Sequence, residues 1–318
     1  MSRAALASRP AAVATGRAFA LGALLAGLGL ASAVVAITRM LESWRVTAGD
    51  PSHRIGLLGA QLSYPVANAG AIVVTALAGL GVLTGCTTTW AIARELLAER
   101  RFRAALAARS PTWLHGAWVI DDDRPQAFCA GLFRPRVYCS TGTLAMLDAP
   151  ALAAVLAHER HHASRHDPLR LACGRALVAG LFYLPALRRL VHRHHALSEL
   201  SADEAAVITA GGDRSALASA MLSFSQLGEE GAAGVDPERI DHLIGEHARW
   251  RVPVALCLGA AAVLSIITAG AVMAAHAAAG SATLAPPFLS SRPCVAVLAL
   301  IPAATCAAGV AYARRRRA

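Results

Sequence analysis

The sequence predicts a mainly α-helical integral membrane protein, with about four transmembrane helices around one polar α+β segment. Three observations carry this expectation. Hydrophobic residues make up 56% of the 318 positions and charged residues only 16%, too little polar surface to coat a globule of this size. Asp, Glu and Arg are absent from four long stretches, Ala18–Thr38, Ile55–Ala93, Val252–Ser291 and Pro293–Ala313. Between the second and third of these lies the only region polar enough to fold outside lipid.

A helix needs about 20 apolar residues to cross a bilayer core. The first and last gaps fit one span each, at about 18–38 and 293–313. In the second, Pro65, Asn68 and Gly70 lead into a single helix at about 68–92. The third holds one span at about 252–275, followed by a loop with Pro286 and Pro287. A weaker candidate, Leu171–Leu187, is interrupted by Arg175 and ended by Pro185, which suits an interfacial, re-entrant or core helix. The expected organisation is two N-terminal spans in 1–93, a polar domain in 94–250, and two C-terminal spans with a basic tail in 251–318.

The net charge of +10 comes entirely from arginine, since the chain has no lysine. Such a balance raises nucleic acid as a partner, but the arginines gather at the ends of apolar stretches, so the lipid bilayer is the expected partner and direct nucleic-acid binding is not. Arg3, Arg9 and Arg17 precede the first span, Arg94, Arg100, Arg101, Arg103 and Arg109 follow the second, and Arg314–Arg317 close the chain. By the positive-inside rule both termini and the polar domain face the cytoplasm of a bacterial-type cell, in a multi-pass plasma-membrane protein. The opening apolar run is long for a secretory signal. No Asp, Glu or Arg interrupts the apolar stretches, which argues against a transporter or channel. Cys129 and Cys139 flank a hairpin and are expected as free thiols in that compartment.

Within 94–250 the pattern reads as a basic helix (94–109), a strand at Trp118–Ile120, a turn at Asp121–Pro125, and a hairpin over Gln126–Tyr138 bending near Gly131 and Pro135. Asp148-Ala-Pro150 then opens a helix that carries His158-Glu159-Arg160-His161-His162. Residues i and i+4 lie on one helix face, so His158 and His162 can present ring nitrogens to one metal ion while Glu159 acts as a base beside it. A third ligand must come from elsewhere, leaving a fourth position for water. Glu199 and Asp203 share a face of a later helix, so one can bind metal while the other orients a ligating histidine. Spacing alone leaves His161 and Glu204 as alternatives. His192, His194 and His195, among Arg188, Arg189 and Arg193, read as a solvated or headgroup-facing run.

The joint pattern of residues 126–227 resembles the integral-membrane zinc metallopeptidases of the BlaR/MecR antirepressor type, and more distantly the HtpX and CaaX-prenyl-protease families. His158-Glu159-Arg-His-His162-Ala-Ser-Arg165-His-Asp167 is similar to their zinc helix, and Pro185 through Val207 to the antirepressor segment with its E-x-x-x-D-E-A core. Ala202-Asp-Glu-Ala-Ala and Gly211-Gly-Asp-Arg-Ser look more like the HtpX side, as does Gln126-Ala127-Phe128-Cys129-Ala130-Gly131, similar to the edge strand before the zinc helix. The resemblance implies a gluzincin-like zinc peptidase core with one Zn²⁺ per chain, Glu199 as third ligand, and Asp203, Asp167 and Arg165 supporting the site. It also implies that a protein or peptide substrate adds as a strand along Gln126–Ala130. The substrate it suggests is a winged-helix repressor on the antirepressor side, or a misfolded membrane protein on the HtpX side. HtpX-type enzymes usually place two spans between the zinc helix and the third ligand, whereas 36 residues separate His162 from Glu199 here. The competing expectation is a signalling or scaffold membrane protein that uses the same metal fold to hold a cytoplasmic partner.

Overall fold

The computed structural model describes residues 9–43, 54–57, 60–63, 69–226, 237–244 and 252–279. They fall into two compact units. One comprises Met1–Gly22, Ile92–Arg175 and Arg188–Val252, the other Ala23–Ala91, Ala176–Leu187 and Pro253–Ala318.

Among the described residues, three helices are long and apolar enough to cross a membrane: α1 (Arg9–Ser43), α2 (Ala69–Ala108) and α9 (Val254–Ala279). Each contains one of the first three expected spans. The fourth, 293–313, lies outside the described residues. The expected separate basic helix at 94–109 is instead the second half of α2. No Gly or Pro falls between Cys86 and Ala108, and Arg, Glu, Leu and Ala are strong helix formers. The onset of charge at Arg94 therefore changes the helix's surroundings without ending it. At 1.5 Å per residue its 40 residues reach about 60 Å, twice the hydrocarbon thickness.

The second unit takes the apolar parts of α1 and α2, a two-stranded hairpin of β1 (Arg54–Leu57) and β2 (Ala60–Ser63), and α9. Small residues let its helices approach closely. A Cβ on Gly70 would lie 2.7 Å from the Ala274 carbonyl oxygen, so glycine at this crossing permits backbone contact. The stretch 171–187 is not one helix. Helix α5 (Asp167–Gly180) ends there, and α6 (Pro185–Thr209) starts after a short turn around the buried Leu181 and Leu184.

The first unit is built on a four-stranded sheet of β3 (Thr112–Leu114), β4 (Ala117–Ile120), β5 (Ala127–Ala130) and β6 (Arg136–Ser140), in the order β3-β4-β6-β5. β4 and β6 are parallel, and β5 closes antiparallel on β6 with Phe128 opposite Tyr138. The expected hairpin is thus present and leaves β5 at the sheet edge. Gly131 makes its turn at φ +111, where a Cβ would meet the Arg134 carbonyl oxygen at 2.5 Å. Cys129 and Cys139 are free thiols in adjacent strands, paired with Val137 and Ala127 rather than with each other.

After the short helix α3 (Thr141–Met146), the helix α4 (Ala149–Arg165) lies on this sheet through Leu156, which packs among Ala117, Val119, Val137 and Cys139. Asp148 caps it, its side chain accepting the Ala151 N–H at 2.9 Å, and Pro150 occupies the first turn, where its missing N–H costs nothing. Its buried stripe, Ala151, Ala154, Val155 and His158, follows the i, i+3, i+4, i+7 rule. Alanines at 154 and 157 let α7 (Ser215–Gln226) pack close through Ala216 and Leu217, and Ala206 of α6 joins the same cluster. A short helix, α8 (Pro237–Leu243), completes the unit.

Candidate metal centre

The apolar stripe of α4 dictates where its histidines go. His158 continues that stripe and is 7% exposed, and His162 follows one turn later on the same face. On α6, the buried Leu197 and Leu200 seat the helix against Ala11 and Ala18 of α1. This leaves Glu199 and Asp203, one turn apart, facing α4. The His158 and His162 Nε2 atoms lie 3.2 Å apart, and the Glu199 carboxylate oxygens lie 3.4 Å from the first and 3.5 Å from the second. Among the described residues these three form the one group whose donor atoms could hold a metal ion.

The spacing can be tested against zinc. Zinc–nitrogen bonds of about 2.0–2.1 Å and zinc–oxygen bonds of about 2.0–2.2 Å in a tetrahedron require donor–donor separations of about 3.3–3.5 Å. The three observed separations fall at or beside that range. Two imidazoles and one carboxylate also form a donor set that suits zinc and leaves a fourth position open. The residues fit the ion.

Each histidine is oriented by a carboxylate on its other nitrogen. Asp203 Oδ1 lies 2.9 Å from His158 Nδ1, and Asp167 Oδ2 lies 2.8 Å from His162 Nδ1 while accepting the Ser198 hydroxyl at 2.8 Å. Asp167 reaches this place because α4 ends at His166 in the left-handed conformation (φ 55, ψ 38), which turns the chain straight into α5. Burial opposes charge throughout the cluster. It disfavours the His158 imidazolium, yet hydrogen bonds to Asp203 and Glu199 carry that pKa up to about 9. Burial also works against the Asp203 carboxylate, but His158 and Arg239 together hold its pKa down to about 2. Glu199, partly buried beside both histidines, is likewise held down to about 2 against the effect of burial, chiefly by His158. Glu159 is the exception: burial pushes its carboxyl above the usual range, although the two histidines pull against it. The backbone N–H of Cys129 on β5 also favours its ionised form, which places the Glu159 carboxyl beside the sheet edge.

The alternatives left open by spacing take other partners. His161 points to Ser201, with Nε2 3.0 Å from the hydroxyl, and burial lowers its pKa to about 4. Glu204 lies 3.3 Å from His242. Arg165 makes no hydrogen bond or ion pair with any of the site residues, but against the effect of burial its charge joins His162 and Ser198 in holding the Asp167 carboxyl below the usual range, and it lines a pocket that includes none of the three donors. His194 departs from the solvated run expected for it. It is 4% exposed, with Nδ1 3.3 Å from the Thr15 carbonyl oxygen, because it sits four residues after Leu190 and three before Leu197 on the buried face of α6. His192 and His195 are exposed.

Sequence reasoning missed Arg239. Its guanidinium grips Asp203 at 2.7 and 2.8 Å and lies 3.4 Å from Glu199. Arg193, bound to Glu238 at 2.6 Å, holds α8 in place beside it. The signal was weak: α8 is seven residues long with no buried residue, and nothing in its spacing ties it to a helix more than thirty residues earlier. Arg239→Ala leaves Asp203 without its counter-charge and is expected to weaken metal affinity by about 10–100-fold. Titration against a competing chelator reads this directly, and Arg239→Lys should recover part of the loss.

The arrangement is a helix-borne group of three donors that could hold one metal ion, with the Glu159 carboxyl nearby. Residues 93–227 match the model of peptidase family M48, a span that contains the sheet, α4 to α7, all three donors and Glu159, and excludes Arg239. The match supports a metallopeptidase. Neither a curated protein nor a solved structure matches the chain.

Proposed function

We propose that the chain is a membrane-embedded, zinc-dependent endopeptidase that hydrolyses peptide bonds of a protein substrate at the cytoplasmic face. The observation that carries this reading is the convergence of His158 Nε2, His162 Nε2 and the Glu199 carboxylate on one point, each histidine fixed from behind by a carboxylate. The family match over the same segment and the three apolar helices support it. When bound there, zinc would polarise a peptide carbonyl and lower the pKa of a water towards about 7.

The protein's own groups do the rest. Glu159, with its carboxyl held above the ordinary range by burial, takes the proton from the attacking water and returns it to the leaving amine. β5 lies at the sheet edge, so an extended substrate can add to Gln126–Ala130 by backbone pairing. In antiparallel pairing alternate residues turn their backbone groups outward. Because Gln126 bonds inward to Ser140, Ala127 and Cys129 are the residues that face a substrate strand. That strand would run past Glu159, whose present partner is the Cys129 amide. The resemblance to antirepressor and HtpX-type peptidases supports a cytoplasmic repressor or a membrane protein as substrate. Comparing the proteins that accumulate uncut with an inactive variant would choose between them.

Purified protein should contain one zinc per chain and lose cleavage of a peptide library on treatment with a chelator, recovering it when zinc is restored. Absence of stoichiometric zinc would overturn the reading in favour of a scaffold.

A further inference from the structure

We propose that an open pocket at the junction of α4 and α5, remote in chemistry from the metal centre, binds the phosphate headgroup of an anionic phospholipid. The cavity is about 550 Å³, within the range of small-ligand sites. Its polar wall is cationic. Arg165 and Arg170 both line it, with His166 between them at the left-handed turn. The Arg165 Nε is buried without a hydrogen-bond partner, and the side chain forms no ion pair among the described residues. A guanidinium cannot discharge itself by losing its proton, so both arginines bring a fixed charge to the pocket lining. Asp167, between them in sequence, has its Oδ2 engaged by His162 and Ser198 and its Oδ1 in a 3.9 Å ion pair with Arg170.

Leu169 and Phe19 add apolar lining, and Arg170 stacks on the Phe19 ring with its guanidinium carbon 5.1 Å from the centroid, so cationic and apolar surfaces adjoin. Phe19 stands two residues after Arg17, where the first uncharged stretch of the chain begins, which puts the pocket near the charged end of that stretch. A pocket lined by two arginines with apolar contacts adjoining them, near the end of an apolar stretch, matches a lipid phosphate with its glycerol and first methylenes. Basic pockets of this kind on the cytoplasmic side of membrane helices select anionic headgroups. The inference rests on reading α1 as a membrane span and is independent of catalysis.

Cys173 lines the same pocket and is exposed, so it reports occupancy. The full chain is reconstituted in nanodiscs of phosphatidylcholine, with or without phosphatidylglycerol, and alkylation of Cys173 by a water-soluble maleimide is followed by peptide mass spectrometry. Two arginines should favour phosphatidylglycerol about 30-fold, so Cys173 is expected to be protected only in its presence. Arg165→Gln and Arg170→Gln should each weaken that preference about fivefold, and Arg165→Lys should recover part of it. Arg188→Gln/Arg189→Gln, which removes the same charge from exposed positions, should leave protection intact. Equal protection by phosphatidylcholine alone, or equal loss in the Arg188/Arg189 variant, would overturn the site. So would equal protection in detergent by glycerol phosphate, which would make the ligand a soluble phosphate. Carbonate washing of membranes carrying each variant shows separately whether the chain is integral, so a wrong reading of α1 is not confused with an empty pocket.

Discussion

Replacement of Glu159 by glutamine should leave zinc binding at one equivalent and reduce peptide cleavage by about 10²–10⁴-fold. The amide has the shape of the carboxyl group but cannot carry the proton from water to the leaving amine. Glu159 holds none of the donor positions: His158, His162 and Glu199 converge on each other, and the Glu159 carboxylate turns instead towards the Cys129 amide. Metal retention with activity lost therefore separates a base from a ligand. A variant that cleaves as fast as the parent would remove Glu159 from the mechanism, and one that loses its zinc would make it part of the coordination. Metal content by mass spectrometry and turnover on the same preparation decide among these.

Asp203→Ala should have the largest combined effect on affinity and stability. Asp203 is fully buried, meets His158 Nδ1 at 2.9 Å, and takes both arms of Arg239. Its removal frees the His158 ring to rotate and strands a guanidinium against the remaining Glu199 carboxylate. Loss of a buried partner of this kind costs about 3–5 kcal/mol of stability, and loss of a carboxylate behind a ligating histidine costs about 10–100-fold in metal affinity. Thermal unfolding of the zinc-free and zinc-loaded protein separates the two effects: the stability loss appears in both forms, and the affinity loss appears as a smaller upward shift on adding zinc. Asp203→Asn, which keeps the volume and one acceptor, should lie between. Equal unfolding of the Ala variant and the parent would mean that Asp203 neither anchors Arg239 nor steers His158.

What could be read from the sequence was what depends on short-range periodicity. The i, i+4 spacing of His158 and His162, the Asp148 cap with Pro150, and the Gly131 turn are each fixed by residues within a few positions of one another, and each has its expected place. The charge gaps located three helices because lipid tolerates few charges over twenty residues. They could not show that α2 runs on past Arg94, because a helix changes solvent without changing its hydrogen bonding. What escaped were the contacts set by packing at long range. Burial of His194 against Thr15 depends on a helix 179 residues away. Arg239 reaches Asp203 across 36 residues of which α7 is only a part. The choice of Glu199 over Glu204, open on spacing, follows from which side of α6 the buried Leu197 and Leu200 press inward.

The carboxylates behind the two histidines bear on how firmly the donors are held. With Asp203 Oδ1 2.9 Å from His158 Nδ1 and Asp167 Oδ2 2.8 Å from His162 Nδ1, each ring turns its Nε2 towards Glu199. Rings held from behind have little rotational freedom left to lose on binding. The affinity of the centre therefore rests on the fixed placement of α4 and α6 more than on the ordering of loose side chains.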